Sequence, residues 1–221
     1  MKSILPKALL PIVFLILVTA CGSSNNSQSE TLDVEEGIDI QKNPLGAIQK
    51  ALEIGKSAGD IHQEIANKKP VKPISFKELI EYLPKAPKNW TAAKPMGETT
   101  SISNYSISQV SQAYNQDSKE IKVSIFDWAF NAALYTPFLL TTEFSQESTE
   151  GYNKGIKIND IPGREEYTYS SKKGSLNLLV DGRFFVQING KDIEEQELRE
   201  WWKLIDRKSL GTMSKKRNNK V

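Results

Sequence analysis

The spacing of apolar residues changes along the chain from a helical period to an alternating one. Within residues 43–67 the apolar residues form two short stripes at helical spacing, and Asn43 followed by Pro44 is a favourable helix start. The two stripes do not lie on one line of the helix surface, which argues against a coiled coil. We expect a helix that packs on the folded domain or forms a semi-detached spacer.

Alternation of apolar and polar residues predicts six or seven strands after residue 88. Ile121, Val123 and Ile125 alternate with polar neighbours, which is typical of a strand with one solvent-facing side. Turn residues such as Asp181 and Gly182 separate the other predicted strands. These strands are expected over residues 89–91, 101–114, 152–158, 164–170, 175–180 and 183–189.

Helices are expected between and beside the strands. Ser75 and Glu78 have capping-box spacing and begin a short helix, and Pro137 predicts the start of a helix within the apolar segment 128–144. A last helix over 193–206 has the apolar stripe Leu198, Trp201, Trp202 and Ile205, with Asp192 and Glu195 at capping-box spacing. The pattern predicts an α+β domain, in which a meandering antiparallel sheet packs with helices.

The first twenty residues have a different character. Lys2 and Lys7 accompany an apolar run that is shorter than the ~20 residues of a membrane-spanning helix. The small residues Thr19 and Ala20 then precede Cys21, which is the one cysteine of the chain. A positive start, a short apolar run and small residues before a cleavage point are typical of a secretory signal.

The segment LVTAC, which ends at Cys21, resembles the lipobox of bacterial lipoproteins, with Val18 where that family prefers leucine. The resemblance implies cleavage after Ala20, a diacylglycerol on the Cys21 sulfur, and stable anchoring once further acyl chains are added. The protein would then lie in the cell envelope, facing the periplasm or the exterior. Gly22, where aspartate would favour the inner membrane, implies the outer membrane in a double-membrane bacterium. The alternative is a secreted protein with a free thiol.

Composition completes the predicted domain organisation. The order is a signal peptide at 1–20, a lipidated flexible tether at 21–42, an amphipathic spacer helix and linker at 43–70, an α+β domain at 71–210 and a basic disordered tail at 211–221. Without Lys2 and Lys7, the 29 Lys and Arg fall to the number of Asp and Glu, which is 27. Four of these basic residues lie in the tail, at 214–221, so the rest of the mature chain has a net charge of about −4, which argues against a nucleic-acid partner. The tail is either solvated or a second contact with anionic lipid.

Few side chains are candidates for catalysis. His62 is the single histidine and cannot build a histidine cluster around a metal. Glu165 and Glu166 are adjacent on a predicted strand, so they point to opposite faces, and we expect strand charges paired across to Lys172 or Arg183. We therefore predict no catalytic residue, no metal site and no cofactor.

The sequence leaves two roles open, that of Asp127 and that of the aromatic residues. Asp127 is the one acid whose aromatic neighbours could desolvate it, although a structural role is the simpler interpretation. The aromatic residues form either the core or a ligand or partner surface. Trp201 and Trp202 are adjacent, so we expect one of them to face a groove or a partner. The candidates for such a surface are Trp128, Tyr135, Phe138 and Trp202.

The element order from Leu83-Pro84 and Asn89-Trp90, through a strand ending at Asp127, to a four-strand meander and a final helix resembles the PsbP/DcrB-like lipoprotein domain. The resemblance implies a binding or assembly module and carries over no catalytic residue. The first hypothesis is thus a non-enzymatic envelope lipoprotein with a membrane contact through its lipid and an envelope protein as partner. The second is a carrier of a small apolar ligand or lipid, and the third is an enzyme. The sequence predicts no oligomeric state.

Overall fold

In the computed structural model, which describes residues 34–36, 38–39, 69–102 and 105–218, eleven strands form one sheet. The strands are β1 (Val34–Glu36), β2 (Ile38–Asp39), β3 (Thr91–Ala92), β4 (Met96–Ile102), β5 (Tyr105–Gln116), β6 (Lys119–Asp127), β7 (Phe144–Ser148), β8 (Gly151–Ile158), β9 (Ile161–Thr168), β10 (Lys173–Val180) and β11 (Phe184–Lys191). The helices are α1 (Phe76–Leu79), which continues as a 3-10 turn at Ile80–Tyr82, α2 (Ala132–Thr141), α3 (Glu195–Lys203) and α4 (Arg207–Asn218).

The sheet runs in the order β2-β7-β8-β9-β10-β11-β6-β5-β3, while β1 pairs with β8 and β4 pairs with β5. The pairs are antiparallel except β2 with β7, which is parallel. The predicted α+β class with an antiparallel sheet is confirmed. The strand count exceeds the predicted six or seven because polar segments such as β4 and β7 join the sheet edges without an apolar alternation to mark them.

The predicted flexible tether at 21–42 is wrong for the part that is described. Val34 to Glu36 pair with Ile156 to Ile158, and Ile38 and Asp39 pair with Phe144 and Ser145. Strand β7 pairs with β8 over residues 151–154, so the remaining stretch of that edge is open to β1. An unpaired sheet edge offers backbone donors and acceptors to any extended segment that reaches it.

The main core lies on one face of the sheet. Alternate residues of β6, β10 and β11 point into it, among them Val123, Leu178 and Val186, and α1, α3 and α4 contribute Leu79, Leu198 and Leu210. The pattern of one buried and one wetter side along β6 confirms the predicted alternation. The β5–β6 register is continuous past Val110, although the apolar alternation of β5 is interrupted near this residue. Ser108 occupies a buried position there, bonded to Thr99 at 2.7 Å, and this polar residue disguises the alternation.

Helix α2 covers part of the opposite face of the sheet. Tyr135 and Leu139 of α2 pack with Leu179 of β10. The predicted helix start at Pro137 is wrong: Asn131 is the N-cap, its side chain accepts a hydrogen bond from the Ala133 amide at 3.1 Å, and Pro137 lies inside the helix. An effective N-cap residue therefore decides the start, and the proline removes one backbone donor within the helix.

The C-terminal helices differ from prediction at their boundaries. The capping box of α3 uses Glu194 and Glu197 and not Asp192 and Glu195. The predicted disordered tail at 211–221 is wrong as far as it is described, because α4 extends to Asn218. Leu210 is fully buried, and Met213 packs against the core, so this helix has an apolar contact that its basic composition hides.

The predicted signal peptide, lipidation site and spacer helix lie outside the described residues. Among the helices that the structure describes, none combines the length and the apolar character that a membrane crossing requires.

Candidate functional site

A groove of about 410 Å3 lies on the sheet face that α2 covers only in part. We call it the sheet groove, and its lining consists of Met96, Gly97, Glu98, Gln109, Val110, Ser111, Lys122, Ser124, Phe126 and Gln187. Strands β4, β5, β6 and β11 supply these residues. Its size falls within the ~300–1,000 Å3 that is common for ligand sites.

The sheet register brings the polar side chains of the groove together. Ser111 of β5 pairs with Ser124 of β6, and Ser124 pairs with Gln187 of β11. Residues directly opposite on neighbouring strands point to the same face. A row of hydroxyl and amide groups thus crosses three strands on the face opposite the main core.

The two amides of the groove are held by neighbouring side chains. The Gln187 Nε2 donates to Asn177 Oδ1 at 3.0 Å, and the Asn177 Nδ2 donates to Ser175 Oγ at 3.2 Å. The Gln109 Nε2 donates to the Glu98 carboxylate. These hydrogen bonds orient both amides before any ligand arrives, which lowers the entropy cost of binding.

An aromatic group borders the groove. Phe126 lines it and lies 5.9 Å from Phe185, which stacks on Trp128 at 4.4 Å and meets Phe138 edge-on at 5.0 Å. Of the predicted surface residues, the structure therefore places Trp128 and Phe138 half-buried beside the groove. Their rings pack mainly against Phe185 and not against an empty pocket.

The other two predicted surface residues do not reach the surface. Tyr135 is a residue of α2 whose side chain is fully buried, and burial raises the pKa of its phenol. Trp202 is 0% exposed and Trp201 is 3% exposed, so the expectation that one of the pair faces a partner is wrong. Both fit because α3 is covered from two sides: Trp201 contacts Trp90 at 5.0 Å, and the Arg207 guanidinium lies 5.4 Å from the Trp202 ring.

Asp127 forms a buried ion pair with Arg183. Its carboxylate accepts bonds from Arg183 Nε at 2.9 Å and Nη2 at 2.8 Å, from the Ile74 amide at 2.8 Å and from the Ala129 amide at 2.9 Å. The Arg183 side chain lies over the ring of Phe184 at 4.9 Å. Both charges are fully buried, so this pair joins the segment before α1 to the end of β6 and to the β10–β11 turn.

Glu165 and Glu166 separate as predicted, but their partners differ from those expected. Glu165 is buried on the core-side face and accepts from Arg199 Nε of α3 at 3.0 Å, while Glu166 pairs with Arg164 at 3.4 Å. The predicted pairing with Lys172 or Arg183 is wrong, since Lys172 bonds Glu194. Helix α3, rather than a neighbouring strand, supplies the cation for the buried acid.

A smaller groove of about 270 Å3 is lined by Glu165 and by residues near the start of α3. The Tyr152 hydroxyl donates to Glu165 at 3.4 Å, and burial, followed by the charge of Glu165, raises the pKa of Tyr152. The acid, the tyrosine and Arg199 hold α3 against the sheet. In the described part of the chain, no group of three or more His, Cys, Asp or Glu is placed to hold a metal ion.

Sequence reasoning missed the polar residues of the sheet groove. Gln109, Ser111 and Gln187 are half-buried and Ser124 is buried, and all four lie on the sheet face opposite the main core, where polar residues are ordinary. The alternation along each strand predicts that these residues point away from the core. The adjacency of β6 and β11 could not be predicted, because these strands are far apart in the sequence.

Comparisons with protein-family models, with curated proteins and with solved structures found no match.

Proposed function

We propose that this chain is a lipid-anchored protein of the cell envelope whose folded domain binds an envelope component in the sheet groove without catalysis. The anchor rests on the lipobox-like LVTAC segment and on lipidation of Cys21. The observation that carries the binding role is the groove of about 410 Å3 with preoriented amides.

A non-enzymatic role is supported by the way the buried acids are used. Asp127 is saturated by Arg183 and two backbone amides, and Glu165 is held by Arg199 and Tyr152. A general acid or base needs a proton that it can exchange with a substrate. These two carboxylates instead connect elements of the fold.

The alternative is a carrier of a small apolar ligand or lipid. It would use space between the sheet and α2, beside Trp128 and Phe138. Trp128 stacks on Phe185 and Phe138 meets it edge-on, and six of the ten residues that line the groove carry a hydroxyl, an amide or a charge. These observations favour a polar ligand over an apolar one.

The anchor is tested by replacing Cys21 with serine in a bacterial host fed with labelled palmitate. We expect the wild-type chain to be labelled and to sediment with membranes, and Cys21→Ser to lose the label and leave the membrane fraction. Ser23→Ala is the matched control and should behave as wild type. Labelling of Cys21→Ser, or unlabelled wild-type protein, would contradict the anchor.

The binding role of the groove is tested by photocrosslinking in the native envelope. A photoreactive amino acid is placed at Lys122, which lines the groove, and separately at Leu204, which is exposed at the end of α3. We expect an adduct with an envelope component from position 122 alone. No adduct from position 122, or a crosslink only to another segment of the same chain, would overturn the groove as a ligand site.

A further inference from the structure

We infer that the ligand of the sheet groove is a neutral, hydroxyl-rich carbohydrate chain. The inference rests on the proposed function of the groove as a ligand site and adds the chemical class of the ligand. It is carried by three properties of the lining: its charge, its hydrogen-bonding groups and its one aromatic ring.

The charge of the lining is balanced. Lys122 and Glu98 are the charged residues among the ten that line the groove, and Glu98 already accepts a bond from Gln109. An anionic ligand is normally recognised by several cations or by a bidentate arginine. One lysine opposed by one carboxylate gives no such preference, so the lining fits a ligand without net charge.

The hydrogen-bonding groups of the lining suit neighbouring hydroxyls. Ser111, Ser124 and the two glutamines each carry both a donor and an acceptor. A sugar hydroxyl also donates and accepts at one atom, so adjacent sugar hydroxyls can pair with adjacent amide and hydroxyl side chains. The fixed amide of Gln187, held by Asn177 at 3.0 Å, makes this recognition directional.

The position of the groove separates a carbohydrate from an extended peptide. The groove lies on a face of the sheet, above β4, β5, β6 and β11. Strands β5, β6 and β11 pair on both sides, and in the described part of the chain β4 pairs with β5 alone, so the groove is bounded mainly by strands without an open edge. A peptide that binds as an added strand needs an open sheet edge for its backbone. A ligand on the face is recognised by side chains alone, and Phe126 at one end offers an aromatic ring to the apolar C–H face of a sugar ring.

In the experiment, the full, lipidated chain in detergent micelles is titrated with maltotetraose, cellotetraose and the tetramer of N-acetylglucosamine. Binding is monitored by calorimetry and by amide NMR. We expect one or more of these oligosaccharides to bind and to shift the amide signals of Ser111, Ser124 and Gln187. Gln187→Leu should weaken that binding by about tenfold or more. Gln146→Leu, an exposed amide of β7 outside the groove, should leave it unchanged.

The NMR shifts of the wild-type chain keep the test decisive if Gln187→Leu unfolds. Absence of binding by all three oligosaccharides, or shifts confined to another surface, would overturn the inference. Preferential binding of polyphosphate or of a fatty acid in the groove would also overturn it. If photocrosslinking at position 122 still captures a protein or lipid, the groove remains a binding site and only its carbohydrate specificity is rejected.

Discussion

Asp127 shows how much one side chain can organise in this molecule. Its carboxylate accepts two bonds from Arg183 and one each from the Ile74 and Ala129 amides. Ala129 and Phe130 have φ of 52° and 59°, in the left-handed region that non-glycine residues avoid. The bond to the Ala129 amide stabilises this unfavourable turn between β6 and α2. Asp127 therefore holds the backbone of the turn in place and also neutralises the charge of Arg183.

Replacement of Asp127 by alanine should destabilise the fold strongly. The substitution leaves the buried Arg183 charge unpaired and two buried amides unsatisfied, and breaking such a pair costs ~3–5 kcal/mol. Urea unfolding should show the loss as a lower midpoint. The control is Glu120→Ala, an exposed acid on the same strand, for which we expect a change of less than about 0.5 kcal/mol. Equal stability of the two variants would contradict the structural role of the pair.

Asp206 makes the free energy of unfolding depend on pH in acidic solution. The Ser209 hydroxyl and amide donate to its carboxylate at 2.6 Å and 3.0 Å, and these bonds lower its pKa below the ordinary 3.8. A lowered pKa in the folded state adds stability above pH 3.8, and this stability is lost as the pH falls through the folded-state value.

The titration is isolated by comparing the wild type with Asp206→Asn, which keeps a capping side chain and removes the charge. The stability advantage of the wild type over this variant should shrink as the pH is lowered from neutral to below the Asp206 pKa. Chemical unfolding at both pH values measures it. If the stability advantage of the wild type stays constant or grows in acid, the charge of Asp206 does not stabilise the fold through its bonds from Ser209.

At the scale of elements, α2 depends on a glycine in the strand beneath it. A Cβ atom on Gly155 of β8 would overlap the carbonyl oxygen of Thr142, the C-cap residue of α2. The end of this helix therefore lies directly on the backbone of β8. The close approach fixes the distance between the end of α2 and the sheet.

Gly155→Ala should force the end of α2 away from the sheet. Overpacking of this kind costs ~1–3 kcal/mol, and urea unfolding should show a lower midpoint. Lys157→Ala, an exposed residue of the same strand, should leave the midpoint nearly unchanged. If Gly155→Ala is as stable as wild type, the contact between α2 and β8 is looser than the structure indicates.

Element types were predictable where the physics is local. Strand β6 follows from the alternation around Val123, and α3 follows from the stripe that contains Leu198 and Trp202, because each buries one side against the core. The exact starts of α2 and α3 were not predicted. Several residues near each start can serve as a cap, and in the structure Asn131 and Glu194 do so.

At the scale of the whole molecule, the sheet edge formed by β8 is completed by a segment more than a hundred residues away in sequence. Val34 pairs with Ile158, and Glu36 pairs with Ile156. This pairing covers backbone groups that would otherwise be open to another chain. Residues 34–36, which follow the proposed anchor residue in the sequence, are thus part of the sheet.

Removal of residues 1–39 should expose this edge, whereas removal of residues 1–31 should not. We expect the shorter chain to self-associate more strongly in analytical ultracentrifugation and to exchange its amide hydrogens faster at residues 156–158. The chain lacking residues 1–31 is the matched control. Identical association and exchange in the two chains would show that β1 does not protect the edge.

The amino-acid sequence was enough to predict the α+β class, the alternating strands, the hairpin turns and the apolar stripe of α3, because each depends on residues close together in the chain. It also determined the basis for the proposed anchor at Cys21, which is a local motif. The folded structure was needed to show that β11 lies beside β6, that Trp201 and Trp202 are both buried, and that Gln187 meets Ser124 on one face. Pairing between distant strands depends on the packing of the whole sheet and leaves no local signal, so the groove could not be predicted from the chain alone.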